Sequence, residues 1–238
     1  MAAISKSFVI FLLELRDSVK VLGIAFAALT LLFFFLSSQM LDVFQGHLGG
    51  NLYFFSVAGP FLAHVKMAFF GSLFLLMPLC MYVLWKAIGK PFGVTGPTLF
   101  WFVVATCFLF YGGTAFCYMV TLPYGIQFLL SFQSQNLQAV ISINQFVNFV
   151  TLFVLAFGVI FELPVFMVFS AKVGVISLKT YEKNRRYAIL VIAILAAILT
   201  PTPDVFNMAL MGVPLYLLYE SGILLIRFLR LETQKNIG

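Results

Sequence analysis

The sequence predicts an all-α integral membrane protein that crosses the bilayer six times, with both termini in the cytoplasm. Its 238 residues are 63% hydrophobic and only 9% charged, whereas a soluble domain carries about 25% charged residues. The charges leave long apolar stretches between them, and positions 91 to 161 hold none at all. A chain so poor in charge could not cover its own surface in water, but apolar helices satisfy their backbone hydrogen bonds in lipid.

Six apolar segments are candidate membrane-spanning helices. A helix needs about 20 apolar residues to cross the bilayer core, and the fifth segment is shorter than that. The fifth and sixth segments therefore predict a short hairpin, sheltered by its neighbours or by a thinned bilayer. In chain order the segments are Val21–Leu41, Ala63–Trp85, Leu99–Thr121, Gln145–Ala171, Tyr187–Leu199 and Met208–Ile226.

The lysine and arginine residues predict the orientation. Cytoplasmic loops carry an excess of these residues, and 13 of the 14 in this chain lie on one predicted side of the membrane. Only Lys66, at the start of the second segment, falls on the other side. An even number of spans then places both termini inside. Of the external connectors, Leu122–Asn144 is uncharged and is expected to contain a short interfacial helix.

Composition and motifs exclude several classes of function. The net charge of +6 does not indicate nucleic-acid binding, because the basic residues cluster at the ends of apolar runs as topogenic charges do. No hydrolase or phosphate-binding motif is present, so we predict neither an enzyme nor a bound cofactor or metal. The whole chain, residues 1–238, is predicted to form a single transmembrane domain.

Two glutamates inside apolar segments are candidate functional residues, because an ionisable group at mid-helix costs about 2.5–3.5 kcal/mol to insert. Glu162 lies deep in the fourth segment, two residues before Pro164, which lacks a backbone donor and predicts a kink. It is either a protonated acid bonded to a neighbouring helix or a carboxyl on a water-lined concave face, and we expect the second. Glu220 is assigned to the same polar face or to an interfacial contact.

Charged residues near the segment ends are less specific signals. Asp204 is placed to cap the sixth helix at its N-terminus. Glu14 and Arg16 lie on an amphipathic turn before the first segment, where opposite charges usually form solvated surface. From the residues alone, capping and solvated surface explain these charges, and no function has to be assigned to them.

Several sequence blocks resemble TatC, the multi-spanning subunit of the twin-arginine protein translocase. The resemblance covers nearly the whole chain and is strongest in its second half. There the matching blocks are Leu109–Gly112 with Phe116, Tyr118 and Pro123; Phe157–Pro164; Arg185–Tyr187; Leu199–Phe206; and Pro214 with Leu218–Glu220. In the first half Glu14–Arg16, Pro60 with Lys66, and Pro78 with Tyr82 and Trp85 also match.

The resemblance implies a glove-shaped bundle of six helices with short fifth and sixth helices. It implies a receptor for paired-arginine signal peptides that exports folded proteins across the bacterial cytoplasmic membrane with the proton-motive force. The expected partners are the single-span TatA and TatB proteins, in a hetero-oligomer. The resemblance assigns signal-peptide recognition to Glu14 and Arg16, a concave polar face to Glu162 and Glu220, and partner-helix assembly to Thr202, Pro203, Asp204 and Asn207.

This chain departs from the family pattern where signal peptides are recognised. The family carries a second recognition glutamate in the first cytoplasmic loop, but positions 91–97 contain no acid. In the N-terminal motif, Phe11 and Ser18 stand where the family has a His and a second basic residue. In the second segment, Val83 replaces a glutamine that is common in the family. The block Thr200–Asp204 is one residue longer than the corresponding Thr-Pro-Pro-Asp block of the family. Two alternatives therefore remain: a scaffold that binds single-span partners, and an ion-coupled small-solute transporter with Glu162 as its proton site.

Overall fold

The computed structural model describes residues 2–46, 52–131, 140–199 and 205–231, except the side chains of residues 2–18, 129, 199, 206, 207 and 210. This part of the chain is almost entirely helical. The helices are α1 (Ala2–Gln45), α2 (Gly59–Gly89), α3 (Pro97–Phe116), α4 (Leu122–Leu130), α5 (Ile143–Phe161), α6 (Leu163–Val173), α7 (Leu178–Lys183), α8 (Arg185–Leu199) and α9 (Val205–Phe228). Two strands, β1 (Leu52–Tyr53) and β2 (Ile141–Ser142), form a parallel ladder between the connector that follows α1 and the connector that precedes α5.

The lengths of these helices confirm the all-α membrane fold. Within the described residues, five stretches are long and apolar enough to span a bilayer: Val19–Gln45, Gly59–Phe92, Pro97–Phe128, Ile143–Val173 and Met211–Phe228. The sixth predicted span is α8, which has only 15 residues, as its short apolar run predicted. In contrast, α9 has 24 residues and extends beyond the predicted segment at both ends. The count of six spans and their orientation stay predictions.

Prolines explain two local departures from regular α-helix. Pro123 cannot donate a backbone hydrogen bond, and the turn before it, Cys117–Thr121, widens into a π-helix that joins α3 to α4. The nine-residue α4 is the short helix expected after the third segment. Pro164 likewise separates α5 from α6 at Glu162, which confirms the predicted interruption of the fourth segment.

The described chain divides into two compact units. The first contains residues 1–107 and 122–155, and the second contains residues 108–121 and 156–238. The prediction of a single transmembrane domain is not tested by this division and stays a prediction.

Polar side chains and aromatic packing join the helices of the first unit. The hydroxyl groups of Thr30 on α1 and Ser72 on α2 are 2.8 Å apart, and Ser37 Oγ lies 2.9 Å from His64 Nδ1. Trp85 on α2 donates from its indole nitrogen to Thr106 on α3 at 2.8 Å. Such bonds between helices hold membrane proteins together where lipid supplies no hydrophobic drive for association.

Close contacts between glycines and aromatic rings organise the second unit. A Cβ atom on Gly113 would lie 2.5 Å from Phe161, and one on Gly158 would lie 2.5 Å from Phe110. Because glycine has no side chain, the two phenyl rings pack directly against the backbone at these positions. Phe116 packs on both Phe157 and Phe161, at centroid distances of 6.3 and 5.7 Å. This aromatic cluster brings the end of α3 against the end of α5, directly before the interruption at Glu162.

Candidate functional site

Glu162 lies at the interruption between α5 and α6. Its backbone N–H donates to Val159 O at 3.2 Å, and its carbonyl accepts from Val165 and Phe166 at 3.0 and 3.1 Å. Pro164 at the start of α6 cannot donate a backbone hydrogen bond, and the bonds from Glu162 to Val159 and from Val165 to Glu162 span three residues instead of the four of an α-helix. The residue therefore connects two helical segments inside one membrane span.

The side chain of Glu162 is only 1% exposed. The expectation of a carboxyl on a water-lined surface is therefore wrong for this conformation. The reason is helical periodicity: Gly158, Glu162, Val165 and Phe169 share one buried stripe that continues through the interruption. The assignment of Glu162 to a concave face stays a prediction.

Glu220 forms an ion pair instead of standing alone. Arg185 Nη2 donates to its Oε2 at 3.0 Å, and the hydroxyl of Tyr216, one turn earlier on α9, donates to its Oε1 at 2.9 Å. Both partners of the ion pair are partly exposed. The carboxylate thereby connects the first residue of α8 to the middle of α9. The role of Glu220 in a concave polar face remains untested.

A second set of contacts fixes α7 against α6 and α9. Arg227 donates to Glu182, Tyr219 donates to the backbone carbonyl of Tyr181 at 2.8 Å, and the hydroxyls of Tyr181 and Ser170 are 2.6 Å apart. Burial raises the pKa of the Tyr181 phenol, which its bond to Ser170 partly offsets, so the phenol is protonated at neutral pH. Sequence reasoning missed this cluster: Tyr219 lies in the family block Leu218–Glu220 but was given no role, and no motif marks Tyr181.

The remaining predicted site residues are described only in part. The backbone of Glu14 and Arg16 belongs to α1, which continues without interruption into the first span, but their side chains lie outside the description. Thr202, Pro203 and Asp204 are outside the described residues, and of Asn207 only the backbone, in α9, is inside. Their predicted roles in recognition and assembly stay predictions.

The predicted first cytoplasmic loop, positions 91–97, contains no acidic side chain that could replace the loop glutamate of the family. Lys90–Phe92 form a 3₁₀ turn, followed by Gly93 and Gly96 with φ angles of 71° and 61°. Among the described residues, no group of three or more His, Cys, Asp or Glu side chains could hold a metal ion.

The sequence of this chain is similar to those of known proteins. The sequence model of the family described as TatC, Sec-independent protein translocase protein, matches residues 11–214. A Sec-independent protein translocase protein TatC of Desulforapulum autotrophicum is 31% identical over 222 residues, which are 89% of this chain and 80% of the relative. The protein of the same name in Escherichia coli K12 is 33% identical over 185 residues, covering 76% of this chain and 70% of the relative.

Solved structures agree with the sequence match. A crystal structure of the twin-arginine translocase receptor TatC in DDM has a TM-score of 0.78 and 28% sequence identity to this chain. The likeness covers 90% of this chain and 98% of the crystallised one. A second TatC crystal structure has the same TM-score with 26% identity.

Proposed function

Since this chain belongs to the TatC family of Sec-independent protein translocase proteins, we propose that it is the core subunit and signal-peptide receptor of a twin-arginine translocase. It resides in the bacterial cytoplasmic membrane and passes folded proteins across it with the proton-motive force. One observation carries this proposal: the same fold extends over 98% of a chain described as the twin-arginine translocase receptor.

Recognition of the paired arginines is assigned to Glu14, with Arg16 beside it. A carboxylate accepts two parallel bonds from a guanidinium, which favours arginine over lysine. The acids of the second unit are less suitable, because Glu182 and Glu220 already pair with Arg227 and Arg185. Glu14 therefore binds the paired arginines without the second carboxylate of family members that carry the loop glutamate, and the site binds the signal peptide more weakly.

Assembly with single-span partners of the TatA and TatB type is assigned to Thr202, Pro203, Asp204 and Asn207. In sequence these residues lie between the end of α8 and the first turn of α9. The 15-residue α8 is too short for a full span, so its C-terminal end lies within reach of a partner helix in a thinned bilayer.

A crosslinking experiment tests the recognition site. A twin-arginine signal peptide with a photoreactive residue should crosslink to the purified full-length chain, and a twin-lysine peptide should crosslink much less. Glu14→Ala should abolish the difference between the peptides while the thermal stability is retained. Loss of one charge-assisted hydrogen bond costs about 1.5–3 kcal/mol, which is roughly tenfold or more in affinity. Unchanged crosslinking in a stable Glu14→Ala protein would place recognition on another residue.

The absence of an acid at positions 91–97 favours a second candidate, a scaffold that binds single-span partners without recognising signal peptides. Export of a folded reporter separates the two functions. Cells that lack their own TatC should regain export of a twin-arginine reporter when they express this chain with its partners. A scaffold would copurify with the partners without restoring export.

A further inference from the structure

The connector from α1 to α2 ends in an exposed apolar turn, residues 53–58, which we call the connector tip. The side chains of Phe54 and Phe55 are 65% and 72% exposed, and Tyr53 is exposed beside them. Exposed apolar patches on a folded protein mark contact with another molecule or with a membrane. The chain around the tip is also uncharged, since positions 43 to 65 contain no Asp, Glu, Lys or Arg.

Backbone contacts fix the connector tip on the first unit. Its first residue, Tyr53, pairs with Ser142 in the β1–β2 ladder, directly before α5 begins. At the other end, the backbone N–H of Gly59 donates to Ser56 O at 3.0 Å. A Cβ atom on Gly59 would lie 3.2 Å from Ser56 Oγ and 3.3 Å from Asn144 Nδ2. The aromatic side chains are therefore presented from a fixed turn beside the N-termini of α2 and α5.

Charged residues on α2 indicate how far the tip lies from the hydrocarbon core of the bilayer. Lys66 and Lys86 are 20 residues apart, and no charged residue lies between them. This separation corresponds to about 30 Å of helix, which is the thickness of the core. The helix α2 begins at Gly59, seven residues before Lys66, and so begins about 10 Å outside the core.

The contact between α1 and α2 gives a second estimate of the depth. Ser37 Oγ lies 2.9 Å from His64 Nδ1, so Asp42, five residues further along α1, is level with Gly59 in this antiparallel pair. The charge-free stretch from Lys20 to Asp42 corresponds to about 33 Å of helix, which ends the core at the level of Gly59. The two estimates place the connector tip between the core edge and about 10 Å outside it, at the depth of the lipid headgroups.

We propose that the connector tip inserts Tyr53, Phe54 and Phe55 into the lipid headgroup layer and anchors this end of α2 in the bilayer. Aromatic side chains form belts at this depth, where rings contact acyl chains and hydroxyl groups reach water. Phe61, exposed on the first turn of α2 and 6.0 Å from the ring of Phe34 on α1, continues the apolar surface from the tip toward the core. A lipid surface fits the tip because the tip is uncharged and level with the headgroups. The anchor requires only insertion in a bilayer and does not depend on the receptor function.

Site-directed spin labelling of the full-length chain tests the anchor in vesicles of phosphatidylethanolamine and phosphatidylglycerol. The three native cysteines are replaced with alanine, and a nitroxide is attached to Phe54→Cys or Phe55→Cys, so that one phenylalanine stays in place in each variant. Power saturation measures collisions of the nitroxide with oxygen, which concentrates in hydrocarbon, and with a water-soluble nickel chelate. The matched control, Phe108→Cys, replaces an exposed phenylalanine within the candidate span Pro97–Phe128. Spin-labelled glutathione in buffer is the aqueous reference.

Both labels on the tip should collide with both reagents. Their oxygen-to-nickel collision ratio should exceed that of the aqueous reference severalfold and stay severalfold below that of Phe108→Cys, as expected at headgroup depth. A ratio equal to the aqueous reference would show that the tip projects into water, and a ratio equal to Phe108→Cys would place it in the hydrocarbon core. Either result would overturn the anchor. Low collision rates with both reagents would overturn it as well, because a protein surface, such as a second copy of this chain, would then cover the tip.

Discussion

Two neighbouring glycines on α3 have opposite surroundings. A Cβ atom on Gly113 would lie 2.5 Å from Cγ of Phe161, but one on Gly112 would meet no atom within 4 Å. Only Gly113 therefore determines how closely α3 approaches the aromatic cluster. The sequence contains both glycines side by side and does not distinguish them, because the distinction depends on which face meets Phe161.

We expect Gly113→Ala to destabilise the protein and Gly112→Ala to leave its stability unchanged or slightly raised. Overpacking in a filled core costs about 1–3 kcal/mol, whereas alanine is about 1 kcal/mol better than glycine in a helix. Thermal unfolding in detergent measures both variants against wild type. Equal transition temperatures for the two would show that Phe161 moves aside without cost.

The sequence identifies Glu162 as an unusual intramembrane acid, but it does not predict that the side chain is buried. The signal was available in the helical spacing of Gly158, Glu162, Val165 and Phe169. The prediction from sequence followed the general expectation that a carboxyl group requires water and did not use this spacing. Because the structure shows 1% exposure, the position should accept a neutral side chain of similar shape and reject a charged one.

Glu162→Gln should therefore keep the thermal stability within about 1 kcal/mol, whereas Glu162→Lys should lower it by several kcal/mol, because an ammonium group would be buried. Both variants are compared by thermal unfolding and by yield from the membrane fraction. If Glu162→Lys is as stable as Glu162→Gln, the position has access to water and the original expectation from sequence is restored.

The helices themselves were largely predictable. Apolar runs and charges located α1, α2, α3 and α8, and Pro164 predicted where the fourth span is interrupted. The helix α9 begins at Val205, directly after Asp204, the residue predicted to cap it, whereas the apolar run alone places the start at Met208. The β1–β2 ladder was missed, since it pairs two-residue strands from distant connectors, and such short strands carry no periodicity.

The contact between α8 and α9 provides a test of one ion pair. Arg185→Gln and Glu220→Gln should each cost about 0.2–1 kcal/mol, because the pair is partly exposed. The double variant should cost less than the sum of the two, as expected for side chains in direct contact. Arg186→Gln is the matched control, since Arg186 lies over the Tyr187 ring rather than on Glu220. Additive effects of the two substitutions in thermal unfolding would contradict the pairing.

Charge placement over the whole chain predicts which surfaces meet the cytoplasm. In the second unit Glu182 pairs with Arg227 and Glu220 pairs with Arg185, and 13 of the 14 basic residues of the chain lie on one predicted side of the membrane. The first predicted external connector contains Val57, whose side chain is fully exposed. Sequence alone predicts this asymmetry because the order of basic residues and apolar segments can be read directly from it, whereas the contacts between helices require coordinates.

The orientation can be tested by labelling single cysteines with an impermeant maleimide. The native Cys80, Cys107 and Cys117 are first replaced with alanine, and thermal unfolding checks that the cysteine-free chain retains its fold.

Thr95→Cys and Thr180→Cys then place exposed thiols in the two predicted cytoplasmic loops, and Val57→Cys places one in the first external connector. Because 13 of 14 basic residues lie on one predicted side, only the cysteine at position 57 should react in intact spheroplasts. The other two should react only after the membrane is permeabilised. External labelling at position 95 or 180 in intact spheroplasts would contradict the predicted orientation, since translocation of basic loops opposes the charge bias that fixes topology.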